Sequence, residues 1–233
     1  MLHTIAFDAD DTLWHNETHY TRAKQAFGAL LAHHAAPQQA ILRLDEIENA
    51  NVALYGYGIK SFTLSMIETA LELAHGALTG TDLSAILAVG REMLTHNVIL
   101  FEHAAEMLAA LAQRYPLMLI TKGDTAEQSA KIERSGLADY FRIIEIVGDK
   151  TPAVYRALLE RHYLRPEGFL MVGNSLKSDI LPVLEIGGRA VYIPYAHTWA
   201  HEHVAAADAA RDGYVEIEHL GLLPALVERL SGE

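Results

Sequence analysis

Ile5-Ala6-Phe7-Asp8-Ala9-Asp10-Asp11-Thr12-Leu13-Trp14 is an apolar run that stops abruptly in carboxylates. Thr4 to Phe7 reads as a buried strand, which puts the acids at its C-terminal end, where open α/β sheets bind ligands. Two carboxylates two residues apart can divide labour. One serves as nucleophile or metal ligand while the other, displaced along the loop, gives and takes a proton. The competing reading is an acidic turn in which Asp11 or Thr12 caps a helix. The bare D-x-D-x-T pattern turns up by chance in roughly a few per cent of chains of this length, so it decides nothing alone.

Working outward, four more short apolar or β-rich runs follow: Leu117 to Thr121, Ile143 to Val147, Phe169 to Val172 and Ala190 to Ile193. Alternation with helical stretches predicts an α/β fold, a Rossmann-like parallel five-stranded sheet with helices on both faces. More than 100 residues separate the first run from the second, far beyond one crossover. Within that interval Tyr20, Ala23, Phe27 and Leu30 keep one face, Ile41, Leu44 and Ile47 another, Phe62, Met66 and Leu73 a third, and Leu83, Ile86, Leu87 and Met93 a fourth. Pro37, Gly56 with Gly58, and Gly76 with Gly80 separate the four. Residues 16–96 are therefore expected to form an inserted all-helical domain, and residues 1–15 with 97–233 the sheet domain. A helix near Glu102 to Arg114 returns the chain to the sheet.

Composition narrows the function. The 233 residues are 51% hydrophobic and 21% charged, as in a globular protein. Lys plus Arg is 18 against 30 Asp plus Glu, a net charge of −12, which disfavours nucleic acid and anionic membrane as partners. Cysteine is absent, which excludes a disulfide scaffold, a thiol nucleophile and a thiolate metal cluster. Met1 to Phe7 lacks the basic lead of a signal peptide, and no apolar run reaches membrane-spanning length; the expected location is cytoplasmic.

Three further polar segments fall at strand ends. The second strand runs into Thr121-Lys122-Gly123-Asp124, a hydroxyl and a Gly turn whose N–H groups suit phosphate oxygens; the alternative is a helix cap at Thr121 or Asp124. After the third strand, Lys150 stands before Thr151-Pro152, a helix start. A lone Lys is ordinarily a solvated charge. The fourth strand ends in Gly173-Asn174-Ser175-Leu176-Lys177-Ser178-Asp179, whose oxygen side chains suit Mg²⁺.

Taken in order, an Asp pair, Thr, Lys, then Asn and Asp, all after strands, this set resembles the haloacid dehalogenase superfamily of hydrolases, mainly phosphatases. Its first motif matches Asp8, Asp10 and Thr12, its second Thr121, its third Lys150, and its fourth Gly173, Asn174 and Asp179. The resemblance covers the whole chain and makes residues 16–96 a helical cap. It implies strand order 5-4-1-2-3, Mg²⁺ held by Asp8, the Asp10 carbonyl, Asn174 and Asp179, and an aspartyl-phosphate on Asp8. Asp10 would be the acid and base, while Thr121, Lys150 and the N–H groups near Lys122 and Asp11 would hold phosphate oxygens. Two positions depart from the pattern: Asp11 stands where Gly is usual, and Asn174 where many members have an Asp metal ligand. Asn still offers a carbonyl oxygen.

The implied reaction is hydrolysis of a small phosphorylated metabolite. Family members that remove halide resemble the chain in its first Asp but lack the second, so Asp10 favours phosphatase over dehalogenase. A phosphomutase keeps the same pair, and a non-catalytic metal-dependent binding protein is the reading from another class. A signalling receiver places its phosphorylated Asp after the third strand, where this chain has only Asp149 beside Lys150. Tyr55-Gly56-Tyr57-Gly58 with Lys60 is the insertion's candidate for substrate selectivity, a plain helix connection being the alternative. His197, His201 and His203 have helix-compatible metal spacing, although 13 His make coincidence easy. Trp14 and Trp199 suit packing or pocket lining.

Overall fold

The computed structural model describes residues 2–196 and 213–232. They divide into two compact units, Met1–His15 with Val98–Glu233, and Asn16–Asn97.

The first unit is a parallel sheet. Its strands are β1 (Thr4–Phe7), β2 (Leu117–Lys122), β3 (Phe141–Val147), β4 (Phe169–Gly173), β5 (Arg189–Tyr192) and β6 (Tyr214–Glu216), in the order β3-β2-β1-β4-β5-β6. The expected five strands are present in the expected order, and the sheet has a sixth. β6 extends it in parallel beside β5, with Tyr192 opposite Glu216. Its three residues are exposed or half-buried, so no apolar run advertised it. The four residues of β1 are buried throughout, between Leu117 to Leu119 of β2 and Phe169 to Val172 of β4. A central strand covered on both faces reads as continuous apolar sequence, which is why the opening stretch was legible.

Side chains alternate across the sheet. Ile5, Phe7, Leu119 and Val172 join one core with Met107, Leu108 and Leu111 of the helix Ala104–Ala112 and Leu223 and Val227 of Leu223–Gly232. Ala6, Met118, Ile120 and Met171 face the other way, onto Tyr155, Leu158 and Leu159 of the helix Pro152–Arg161. Period-two strands thus build two cores from one sheet. His15 N–H donates to the Ile99 carbonyl and Phe101 N–H to that of Leu13, so the chain's two passages at the edge of this unit run side by side.

The second unit is four helices, α1 (Glu17–Leu30), α2 (Pro37–Tyr55), α3 (Ile59–Leu73) and α4 (Gly80–Thr95). Phe27, Leu44, Phe62, Met66, Ile86 and Met93 form its core. Pro37 opens α2 at its first turn, where the missing N–H costs nothing. Thr79 and Asp82 form a reciprocal capping box at the start of α4. In the sheet unit the next helices are α5 (Ala104–Ala112), α6 (Thr125–Ser135), α7 (Pro152–Arg161), α8 (Leu181–Glu185) and α9 (Leu223–Gly232). No described helix is long and apolar enough to cross a membrane.

Candidate active site

The strand ends gather the polar residues. Asp8 continues β1, its N–H donating to the Val172 carbonyl at 2.9 Å, so its side chain emerges where β1 and β4 end together. It is 7% exposed. Thr12 Oγ1 donates to its Oδ2 at 2.8 Å, and Lys150 Nζ to its Oδ1 at 2.5 Å. The same ammonium donates to Asp179 Oδ1 at 2.7 Å. One buried lysine therefore serves two buried carboxylates.

Each partner is placed by its local fold. Lys150 precedes α7, whose cap is the Thr151 hydroxyl with Pro152 next. Tyr155 of α7 donates its hydroxyl to the Ser178 carbonyl, tying the helix that follows Lys150 to the turn that carries Asp179. That turn is a π-helical turn, Leu176–Ile180, capped by the Ser175 hydroxyl. Ser175 N–H donates to Asp179 Oδ2 at 3.0 Å and aims the carboxylate back at β4. Gly173 has to be glycine: a Cβ there would lie 2.3 Å from Asp179 Oδ2. Asn174 is buried, donating its N–H to Thr12 Oγ1 at 3.1 Å, with its Oδ1 3.2 Å from the same hydroxyl.

The electrostatics follow from the count of charges. Burial alone would lower the Lys150 pKa, but Asp179 and Asp8 outweigh it and hold the ammonium charged. Burial pushes the Asp179 carboxyl up, and the charge of Asp8 adds to that against the opposing pull of Lys150. Two buried carboxylates share this one ammonium.

Asp10 lives in different surroundings. Lys131 of α6 donates to its Oδ1 at 2.8 Å and its Oδ2 at 2.6 Å, the Trp14 indole N–H to Oδ1 at 2.7 Å, and Gln128 Nε2 to Oδ2 at 2.8 Å. Burial disfavours its charge, yet Lys131, supported by Gln128 and Trp14, holds the carboxyl below its usual range. Lys131 is 2% exposed and also lies 3.8 Å from Glu127. Sequence reading missed Lys131 and Gln128. No local signal marked them: α6 has few apolar residues, and its burial of Glu127, Gln128, Lys131 and Ile132 is visible only in the structure.

The remaining expected residues are distributed as follows. Thr121 ends buried, two residues past the Leu119 that pairs with Phe7. Lys122 Nζ donates to Ser178 Oγ at 3.0 Å, joining the end of β2 to the turn after β4. Gly123, at φ 143°, leaves room for Gln128, whose Nε2 would lie 2.9 Å from a Cβ there. Asp124, rather than Thr121, caps α6. Asp11 adopts φ 62°, the left-handed region where Gly is at ease and Asp is tolerated. Its N–H donates to the Trp14 carbonyl at 2.7 Å, so in this state that donor is engaged within the turn. Trp14 is 1% exposed and acts through its indole N–H. In the helical unit, Tyr55 ends α2 with its ring exposed and its hydroxyl donating to Glu68 of α3 at 2.7 Å, Tyr57 is half-buried between Gly56 (φ 73°) and Gly58 (φ 115°), and Lys60 is exposed on α3. His197, Trp199, His201 and His203 lie outside the described residues.

The chain is similar to several known proteins. Glyceraldehyde 3-phosphate phosphatase of Methanothermobacter thermautotrophicus is 26% identical over 208 residues, 83% of this chain and 86% of the relative. N-acylneuraminate-9-phosphatase of Mus musculus is 30% identical over 99 residues, a match that spans 40% of the chain and 40% of the relative's own length. A solved haloacid dehalogenase-like hydrolase from Xanthomonas campestris superposes with a TM-score of 0.87 at 40% identity, covering 98% of this chain and 91% of that one. A 2-haloacid dehalogenase from Pseudomonas syringae shares the fold at 23% identity, with a TM-score of 0.67 over 99% of this chain and 100% of its own. A sequence profile of haloacid dehalogenase-like hydrolases matches residues 2–187, and the chain belongs to that family.

Proposed function

We propose that the chain is a Mg²⁺-dependent phosphatase that hydrolyses a small phosphate monoester through an aspartyl-phosphate on Asp8. The observation that carries this reading is the pair of separate carboxylates on one loop: Asp8 beside a shared lysine, and Asp10 two residues on with its own set of donors. Phosphatase names among the relatives support it.

Mg²⁺ fits the donor set. Asp8, Asp179, Asn174 and the Asp10 carbonyl offer only oxygen, and two buried carboxylates on one ammonium leave charge for a divalent cation to neutralise. When bound, Mg²⁺ supplies that neutralisation and relieves the repulsion between Asp8 and an anionic substrate. The protein's own residues do the rest. An Asp8 oxygen bonds to phosphorus as the ester P–O bond breaks, while Lys150 and Thr121 hold the non-bridging oxygens. Asp10, which in this scheme enters the first step protonated, gives that proton to the leaving alkoxide and is left ionised. Water then attacks phosphorus, its proton passes to Asp10, and Asp8 is freed as phosphate departs.

In this reading residues 16–96 are a cap, and Tyr55, Tyr57 and Lys60 contact the organic part of the substrate. A pocket that grips only phosphate cannot discriminate esters, so selectivity falls to other surfaces. The test is a panel of phosphorylated metabolites and a simple aryl phosphate, assayed with Mg²⁺ and with chelator, beside a 2-haloacid. Phosphate release that chelator abolishes, with halide release at background, is the expected result. Efficient halide release overturns the assignment.

A further inference from the structure

Asp10 lies in the turn after β1, bridged through its backbone to Trp14, while the orientation of its carboxylate is set by side chains from elsewhere in the fold. An acid and base needs a fixed side chain, because proton transfer demands a defined donor–acceptor geometry. Four hydrogen bonds from three residues supply it. Lys131 spans both carboxylate oxygens, at 2.8 and 2.6 Å, while Trp14 and Gln128 take one oxygen each.

The supports are themselves built in. Asp124 caps α6 by accepting from Glu127 N–H at 3.0 Å, which anchors the helix directly after β2. Gln128 Nε2 donates to the Lys122 carbonyl at 3.0 Å as well as to Asp10, so α6, the end of β2 and the loop after β1 are joined through one amide. Both of those partners are acceptors, which fixes the amide's orientation. Lys131 and Gln128, three residues apart on α6, share the face that meets Asp10. Lys131 is 2% exposed, and a buried ion pair is a poor device for stability, since an apolar side chain of similar size often does as well. Its contribution here is orientation.

We propose that Lys131 is a positioning residue: it holds the Asp10 side chain in its working rotamer, with Gln128 as the brace, and takes no direct part in the chemistry. The proposal rests on the phosphatase reading of Asp10. It makes Lys131 matter in proportion to the need for Asp10, which a purely packing role does not.

The experiment measures kcat and KM for an alkyl phosphate and a nitroaryl phosphate in the full chain, its Lys131→Met, Lys131→Arg and Asp10→Asn variants, and the Asp10→Asn/Lys131→Met double variant. Melting temperatures are taken in parallel. The alkyl ester needs a proton at its leaving oxygen and the nitroaryl ester hardly does. Lys131→Met is expected to lower kcat on the alkyl ester about tenfold to a hundredfold, at most the low end of the general-acid contribution, with a smaller loss on the aryl ester and KM unchanged. Lys131→Arg should recover part of that loss. The double variant should be no slower than Asp10→Asn, because a residue acting only through Asp10 has nothing left to act on. If Asp10→Asn discriminates between the esters while Lys131→Met slows both equally, or if the two losses multiply, the positioning role is overturned and the phosphatase reading stands. If the unaltered chain hydrolyses neither ester, both fall.

Discussion

Asp8 and Asp10 leave the same strand end two residues apart, and each meets a buried lysine. Around Asp8 one ammonium serves two carboxylates, and burial lifts the Asp179 pKa. Around Asp10 a single carboxylate is held on both oxygens, and its pKa falls below the usual range. The first arrangement sets two carboxylates against one ammonium; the second holds a single carboxylate on both of its oxygens. Side-chain identity does not separate the two roles. What separates them is where the lysine comes from: the loop between β3 and α7 for Asp8, and α6 after β2 for Asp10.

The largest expected effect removes the nucleophile. Asp8→Asn should lower kcat on the order of 10³-fold or more while the melting temperature holds, since the proposed covalent intermediate needs that carboxylate. Comparable activity in the variant would put the chemistry elsewhere. Next is Lys150→Met, which strands Asp8 and Asp179 without their cation. Urea unfolding at neutral pH and without divalent metal should show a loss of about 3–5 kcal/mol, the cost of breaking a buried pair from one side. Lys131→Met should lose less, because Trp14 and Gln128 still donate to Asp10. Equal losses would erase the contrast between the two sites.

Asp10→Asn should cost about 10²-fold on alkyl esters and less on nitroaryl esters. Uniform slowing of both would remove the acid role. Smallest is Asn174→Asp, which adds an anionic oxygen to a donor set now holding a carbonyl. Calorimetry should find Mg²⁺ bound about tenfold more tightly, roughly 1.4 kcal/mol, a modest gain because desolvation offsets most of the Coulomb attraction. Unchanged or weaker affinity would show that Asn174 stands outside the metal's reach.

How much of this was legible depended on whether the signal was local. Thr4 to Phe7 and Phe169 to Val172 declared themselves because strands buried on both faces are apolar at every position. Tyr214 to Glu216 did not, since its strand exists by pairing with β5. The four helices of the second unit were readable from apolar spacing and from Pro37, Gly56 and Gly58. Asp8, Asp10, Lys150, Asn174 and Asp179 were visible because each follows a strand, so their order along the chain carries spatial information. Lys131 and Gln128 sit within a helix, at positions where sequence suggests a solvated face. Only the packing of α6 against the loop after β1 turns that face inward.

The most direct test of the central claim is to quench the protein during turnover of a phosphate ester with Mg²⁺ and map the phosphoryl group by peptide mass spectrometry. The account predicts phosphate on Asp8, in the peptide spanning Ile5 to Trp14, and none in Asp8→Asn. Steady turnover with Asp8 never phosphorylated, or with the label on another residue, would contradict it.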